Sequence, residues 1–208
     1  MARATWTGVV SLGLMNLPAQ LVLFDYDQAS EKLLAKQKER FDAERTKLSD
    51  SDVPWLRKMS AGEYFQVKER GATPPLPVDH SLALFTALPE SELNAVAIAN
   101  SYIVVPTTGA LHAFVMFLDS LSKQGRVQIG VLTIRHRARL CAVAAKDGVL
   151  YCHVLANARE LSTISEFAQR HVGSHLFALM DEFDRHKASA YTAPQGRKRT
   201  SRRLRRVS

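Results

Sequence analysis

Apolar and polar residues alternate with a period of two along much of the chain, the pattern of β-strands that bury one face. The first run places Trp6, Val10 and Leu12 at even positions, and a turn at 16–18 separates it from a second run. The predicted strands are residues 4–14, 20–24, 82–88, 96–105, 127–134, 138–144 and 149–155, with Lys146-Asp147-Gly148 as the hairpin turn between the last two.

A period of 3.6 residues predicts two helices. Between Gly109 and Gly125 apolar residues recur at i, i+3, i+4 and i+7, and the second glycine marks the helix end. The other helix runs from Ile164 to Lys187, where Thr163 and Glu166 form a capping-box pattern ahead of an apolar stripe.

Residues 26–60 differ from the rest because they are polar, charge-rich and poor in aromatic residues. Propensity alone favours a solvated helix from Glu31 to Lys47, since Ala, Glu, Lys and Leu dominate there. Leu33, Leu34 and Phe41 are too few apolar positions for a convincing buried stripe, so tertiary contacts decide this segment's conformation.

Charge is concentrated at the C-terminus. The chain has 28 Lys and Arg against 20 Asp and Glu, and seven of those cations lie in residues 197–208, which leaves a nearly neutral body of 21 basic and 20 acidic residues. This tail predicts a mobile polycation that binds nucleic-acid phosphates; a solubility tail and a membrane-surface patch are the alternatives. Its basic residues are Arg197, Lys198, Arg199, Arg202, Arg203, Arg205 and Arg206.

A second cationic zone lies between Asp119 and Asp147, where no acidic residue occurs. Residues spaced by two on an extended chain point to one side, so the arginines at 135–139 could form a phosphate-tracking rim. An ordinary solvated hairpin tip is the equal alternative. The candidate DNA-binding residues of this zone are Lys123, Arg126, Arg135, Arg137 and Arg139.

The length of the chain fits one domain with an appendage. No segment resembles a signal peptide or a membrane span, so the sequence predicts a soluble cytoplasmic protein. Cys141 and Cys152 lie in apolar runs and are predicted to be small buried hydrophobes rather than a disulfide or zinc ligands.

Catalytic patterns are weak. Ser120 and Lys123 match S-x-x-K, but its partner motifs are missing and the pair lies on the apolar-striped helix. His171 and His175 are four residues apart without the glutamate of H-E-x-x-H. The aspartate pairs at 25/27 and 181/184 lack a third ligand, so the sequence predicts no enzyme, metal or cofactor.

The opening, Met1-Ala2-Arg3-Ala4-Thr5-Trp6-Thr7-Gly8 through Asn16-Leu17-Pro18, resembles the start of prokaryotic Ku proteins, which begin M-A-R-A-x-W-x-G and turn into a second strand. Together the matching blocks cover residues 4–155. The later ones follow in the family's order: Val53-Pro54-Trp55, Gly62-Glu63-Tyr64, Ser101 to Pro106, Gly125-Arg126-Val127, Ile134-Arg135, Arg139-Leu140 and Gly148-Val149-Leu150.

The resemblance implies a mainly β fold with helices (α+β): a Ku-type barrel core at 1–160, an extended DNA-encircling bridge at 26–70, a helical arm at 161–190 and a disordered basic tail at 191–208. It implies a nucleoid-associated homodimeric ring that binds double-stranded DNA ends without sequence preference and recruits an ATP-dependent DNA ligase for non-homologous end joining. The candidate phosphate contacts of the bridge are then Lys36, Lys38, Arg40, Arg45, Lys47, Arg57 and Lys58.

The match to the family is incomplete in two respects. Positions 28–70 hold ten basic and eight acidic residues, so this bridge is only weakly cationic. The chain is also short for the family, with little beyond the last helix, where ligase recruitment is expected. Two other functions stay open: an architectural nucleoid protein acting mainly through the tail, and a nuclease or ligase accessory enzyme with a metal site.

Overall fold

The computed structural model describes residues 4–12, 15–49, 78–158 and 172–192. Seven strands in these ranges close into one barrel in the order β1-β2-β4-β7-β6-β5-β3, which confirms the predicted barrel with helices. The strands are β1 (Ala4–Leu12), β2 (Met15–Leu23), β3 (Ser81–Pro89), β4 (Ile98–Pro106), β5 (Arg126–Ile134), β6 (Arg137–Lys146) and β7 (Val149–Leu155); the helices are α1 (Gln28–Ser49), α2 (Leu111–Gln124) and α3 (Ser174–Thr192).

The predicted strands are confirmed, with one correction at the second strand. It begins at Met15 rather than at residue 20, so the turn predicted at 16–18 is part of β2. Pro18 cannot donate a hydrogen bond, but its carbonyl oxygen accepts one from the Thr107 N–H at 3.2 Å, and it pairs with Val9. The proline therefore does not interrupt the strand.

The barrel closes where β3 lies parallel to β1, while the other described strand pairs are antiparallel. At this seam the Val9 N–H donates to the His80 carbonyl oxygen at 2.9 Å. A Cβ added to Gly8 would lie 2.1 Å from that same oxygen, so only glycine lets the strands approach. The buried Trp6 indole donates to the Thr133 carbonyl oxygen at 2.9 Å.

The α1 helix corrects the expectation of an extended bridge for residues 28–49. Its start is fixed because the Asp27 carboxylate accepts from the Ser30 N–H at 2.7 Å. Hydrogen bonds with the side chain and then the backbone N–H of Ser30 lower the pKa of Asp27. Phe41 is completely buried in the main core, and Leu33 and Leu34 pack against it. These few apolar residues are enough to pack α1 on the body of the protein because α2 lies beneath them. Nearly all of the apolar side chains of α2 are buried in the same core.

A second core lies outside the barrel, where α3 covers the outer faces of β5 and β6. The predicted helix from Ile164 corresponds to α3, but its start is at Ser174, and residues 159–171, with the predicted capping box, lie outside the described residues. Glu92 caps the observed start: its carboxylate accepts from the Leu176 N–H at 3.0 Å and lies 2.6 Å from His175 Nδ1.

Candidate nucleic-acid interface

The β5–β6 hairpin turns through two residues that both have positive φ, Arg135 at 48° and His136 at 62°. Such a turn ordinarily uses glycine or asparagine, because other side chains are strained in the left-handed region. The hairpin between β6 and β7 follows that rule with Asp147 and Gly148, as predicted. The strained turn is tied to the barrel by His136 Nδ1, which lies 2.6 Å from the Asp79 carboxylate.

The turn brings three of the predicted DNA-binding residues, Arg135, Arg137 and Arg139, into one pocket of about 450 Å³. Asn100, Tyr102 and Ile134 also line this pocket. Arg137 and Arg139 share the side of β6 that carries Cys141, which is buried in the barrel core. The pocket therefore lies at the end of the barrel where β5 finishes and β4 begins.

The pocket is electrostatically one-sided. Within the described ranges no carboxylate pairs with any of its three arginines, and no acidic residue lines it. Burial raises the pKa of the Tyr102 hydroxyl, so that group stays protonated at neutral pH and can donate a hydrogen bond. The lining thus presents cationic and neutral donors to a ligand.

The basic residues of α1 have a different environment. Arg45 contacts Asp119 on α2 and Asp42 on its own helix, each at 2.6 Å. The hydrogen bond to Asp119 raises the pKa of its guanidinium further, and the pair fastens α1 to α2. Lys47 lies 3.2 Å from Glu44.

The other predicted contacts are not gathered at the pocket. Arg40 donates to Gln37 at 3.2 Å, and Lys36 and Lys38 are exposed on α1. Lys123 lies in the last turn of α2 and Arg126 is the first residue of β5, so the length of this nine-residue strand, roughly 26–30 Å, separates them from the pocket. Arg57, Lys58 and the seven basic residues of the tail lie outside the described residues.

The weak catalytic patterns have structural roles where they are described. The Ser120 hydroxyl is buried and accepts from the Gln124 amide at 2.9 Å. Asp184 accepts from the Ala158 N–H at 2.8 Å, and Asp181 pairs with Arg185 at 3.0 Å. His171 lies outside the described residues, and within them no three His, Cys, Asp or Glu side chains form a metal-ligand group.

Both cysteines are buried and free, as predicted, and burial raises the pKa of the Cys141 thiol well above its usual value. No helix in the described part of the chain is long and apolar enough to cross a membrane.

An aromatic cluster that includes Tyr151 and His153 of β7 was not predicted from the sequence. The Tyr151 and His153 rings stack at 5.8 Å, and Phe24 links Tyr151 to Tyr26. Burial lowers the pKa of His153 to about 4, and its Nδ1 is 2.9 Å from the Ser101 hydroxyl. The spacing of two between Tyr151 and His153 indicates that their rings lie on the same side of a strand. The residues that they contact belong to distant segments of the sequence, so the cluster itself could not be predicted.

Comparison with known proteins gives the chain a family context. No family model matches it. It is 28% identical over 183 residues to the Non-homologous end joining protein Ku of Anaeromyxobacter sp. (strain K), and 24% identical over 156 residues to that of Frankia casuarinae. The Mycobacterium tuberculosis protein of the same name is 23% identical over 154 residues. Over about 70–80% of its length the chain is similar to these bacterial Ku proteins.

These matches confirm the Ku resemblance that the sequence motifs indicated. They cover 78%, 71% and 70% of this chain in the order given, but the chain spans only 58%, 39% and 56% of those Ku proteins. The chain is therefore comparable with only part of each of these relatives.

Proposed function

We propose that this Ku-like chain binds the ends of double-stranded DNA without sequence preference and acts in non-homologous end joining. The observation that carries the proposal is the pocket of Arg135, Arg137 and Arg139 at one end of the barrel. Among the described residues no carboxylate pairs with these guanidinium groups, which leaves them suited to phosphate. Phosphate contacts position a protein on DNA but contain no sequence information. The names of the Ku relatives supply the link to end joining.

End preference requires more than phosphate contacts, and a homodimeric ring provides it. A closed ring can be threaded only from a free end, so topology makes the distinction that backbone contacts cannot. In this proposal the barrel core at 1–160 lines the ring. The part of the 26–70 segment beyond α1 closes over the DNA, the 161–190 arm supports the assembly, and the tail at 191–208 grips flanking duplex. A DNA ligase joins the held ends.

The decisive experiment compares linear and covalently closed circular DNA of identical sequence as competitors for a labelled linear duplex. End binding predicts that the linear form competes and the circle does not. Equal competition would refute the ring and favour the architectural alternative, in which the tail binds any duplex. A monomer by light scattering, with or without DNA, would refute the two-fold ring.

The enzyme alternative has a separate test. Circular DNA incubated with the protein and Mg²⁺ or Mn²⁺ should stay unnicked if the chain is a binding protein. Nicking that disappears with chelator would show metal-dependent nuclease activity instead.

A further inference from the structure

The arginine pocket has the dimensions of a small-ligand site rather than of a duplex groove. Its volume of about 450 Å³ lies within the roughly 300–1,000 Å³ typical of small-molecule pockets. A duplex, whose major groove alone is about 12 Å wide, cannot enter a cavity of this size. A single phosphate group with its adjoining sugar can.

The chemistry of the lining restricts the ligand further. Arg137 and Arg139 project from alternate positions of β6, and Arg135 joins them from the turn. The neutral Tyr102 hydroxyl adds a donor, because burial disfavours its ionised form. Several hydrogen-bond donors converge on the pocket, and among the described residues no carboxylate lines it. This lining favours an oxyanion as the ligand over a cation or an apolar group.

The turn beside the pocket is held in a costly conformation. Two consecutive non-glycine residues with positive φ persist only where surrounding contacts fix them. Here the contact is His136 Nδ1 to Asp79 at 2.6 Å, and the next residue, His80, reaches the Thr7 carbonyl oxygen through its Nδ1 at 3.1 Å. Through His136, Asp79 thus helps to hold the turn that contains Arg135.

We propose that this pocket binds one phosphate group through the guanidinium groups of Arg135, Arg137 and Arg139. Asp79 and His136 are positioning residues that hold the turn. The phosphate source is either a free anion or nucleic acid, and only the nucleic-acid source rests on the proposed function. A terminal 5′-phosphate carries about −1.5 to −2 charges at neutral pH against one for a backbone phosphodiester, so the three cations favour the terminal group.

The first test uses inorganic phosphate as the probe, titrated at constant ionic strength and followed by calorimetry. The variant R137A/R139A should bind at least about tenfold more weakly than the unaltered chain, since two charge-assisted contacts are lost. The matched control is K32A/R185A, which removes two exposed cations that do not line the pocket. No saturable binding, or an equal loss in the control, overturns the proposal.

The positioning role has its own readout. D79A should weaken phosphate binding, and D79E, which can still reach His136, should restore part of it at an unchanged melting temperature. Full affinity in D79A would overturn this role.

A separate DNA-binding experiment compares the affinity for linear duplexes that carry 5′-phosphate ends with the affinity for duplexes that carry 5′-hydroxyl ends. A loss in R137A/R139A confined to the 5′-phosphorylated duplex supports the terminal phosphate as the source, and an equal loss with both supports a backbone phosphate. Unchanged affinity for both overturns the assignment to DNA even if the protein still distinguishes linear from circular DNA. Failure of that linear-versus-circular distinction refutes the proposed function while the inorganic-phosphate result stands separately.

Discussion

Replacing Phe41 with alanine tests whether α1 is packed on the barrel body or is an extended bridge. The Phe41 side chain has 0% exposure and contacts the main core, which includes most of α2. Substituting alanine for a fully buried phenylalanine removes its transfer free energy and leaves a cavity, which costs about 3–5 kcal/mol. F41L keeps most of the apolar volume and should cost less than about 1.5 kcal/mol.

The assay is urea unfolding followed by two probes. In a W55F background the tryptophan signal reports Trp6, which is buried in the barrel and bonded to the Thr133 carbonyl oxygen. Far-UV circular dichroism reports helix. If α1 detaches before the barrel unfolds, F41A lowers the helix midpoint more than the Trp6 midpoint; if the body unfolds as one unit, both midpoints fall together.

The matched control is K36A on the same helix, because Lys36 is exposed and lysine and alanine have similar helix propensities. It should change stability by no more than about 0.5 kcal/mol. An F41A effect as small as that of K36A, by both probes, would refute the packing of α1 and restore the extended conformation.

Three further predictions concern single contacts and the tail. A double-mutant cycle between Arg45 and Asp119 should give a coupling of about 1 kcal/mol, because the pair is only partly buried; zero coupling would mean that it does not fasten α1. Since folding lowers the pKa of His153 from 6.5 to about 4, the unfolded chain binds the extra proton first and stability should fall as the pH drops from about 6.5 to 4. H153F should flatten this part of the urea-midpoint profile, and an unchanged slope would contradict the burial of His153. Truncation after Gly196 removes seven cations and should weaken DNA binding and its salt dependence while preserving end preference; loss of that preference would make the tail the principal determinant.

The strands could be predicted because the signal for a strand, the alternation of apolar and polar residues, lies within the strand itself. In β1 the alternation of buried Trp6 and Val10 with less buried neighbours reflects a single face turned to the core. The position of β2 was harder, because Pro18 has no N–H to donate to a neighbouring strand and therefore indicates a break. The bond that its carbonyl oxygen accepts comes from Thr107, which is distant in sequence.

The burial of α1 could not be predicted for a related reason. Its one fully buried phenylalanine is accompanied by buried Ser30 and Gln37, which no apolar stripe reveals. Whether such a face is buried depends on α2, more than 60 residues later in the chain. The pocket was also predictable only in part. The period of two in β6 predicted that its arginines share a side, but Tyr102 and Asn100 belong to β4, and their place beside the arginines depends on strand pairing that the sequence does not show.

The distribution of acidic residues distinguishes the two cationic regions better than the number of cations does. The α1 segment is rich in lysine and arginine, yet Arg45 and Lys47 contact Asp119, Asp42 and Glu44, so their charges stabilise the protein's own surface. The zone between Asp119 and Asp147 contains no acid, and its three clustered arginines have no carboxylate partner among the described residues. Because a phosphate must compete with any carboxylate already bound, the acid-free zone should contribute more to DNA affinity per cation than α1 does. Alanine substitution of Arg139 should accordingly reduce the salt dependence of binding more than substitution of Arg45, and the opposite order would show that α1 faces the DNA.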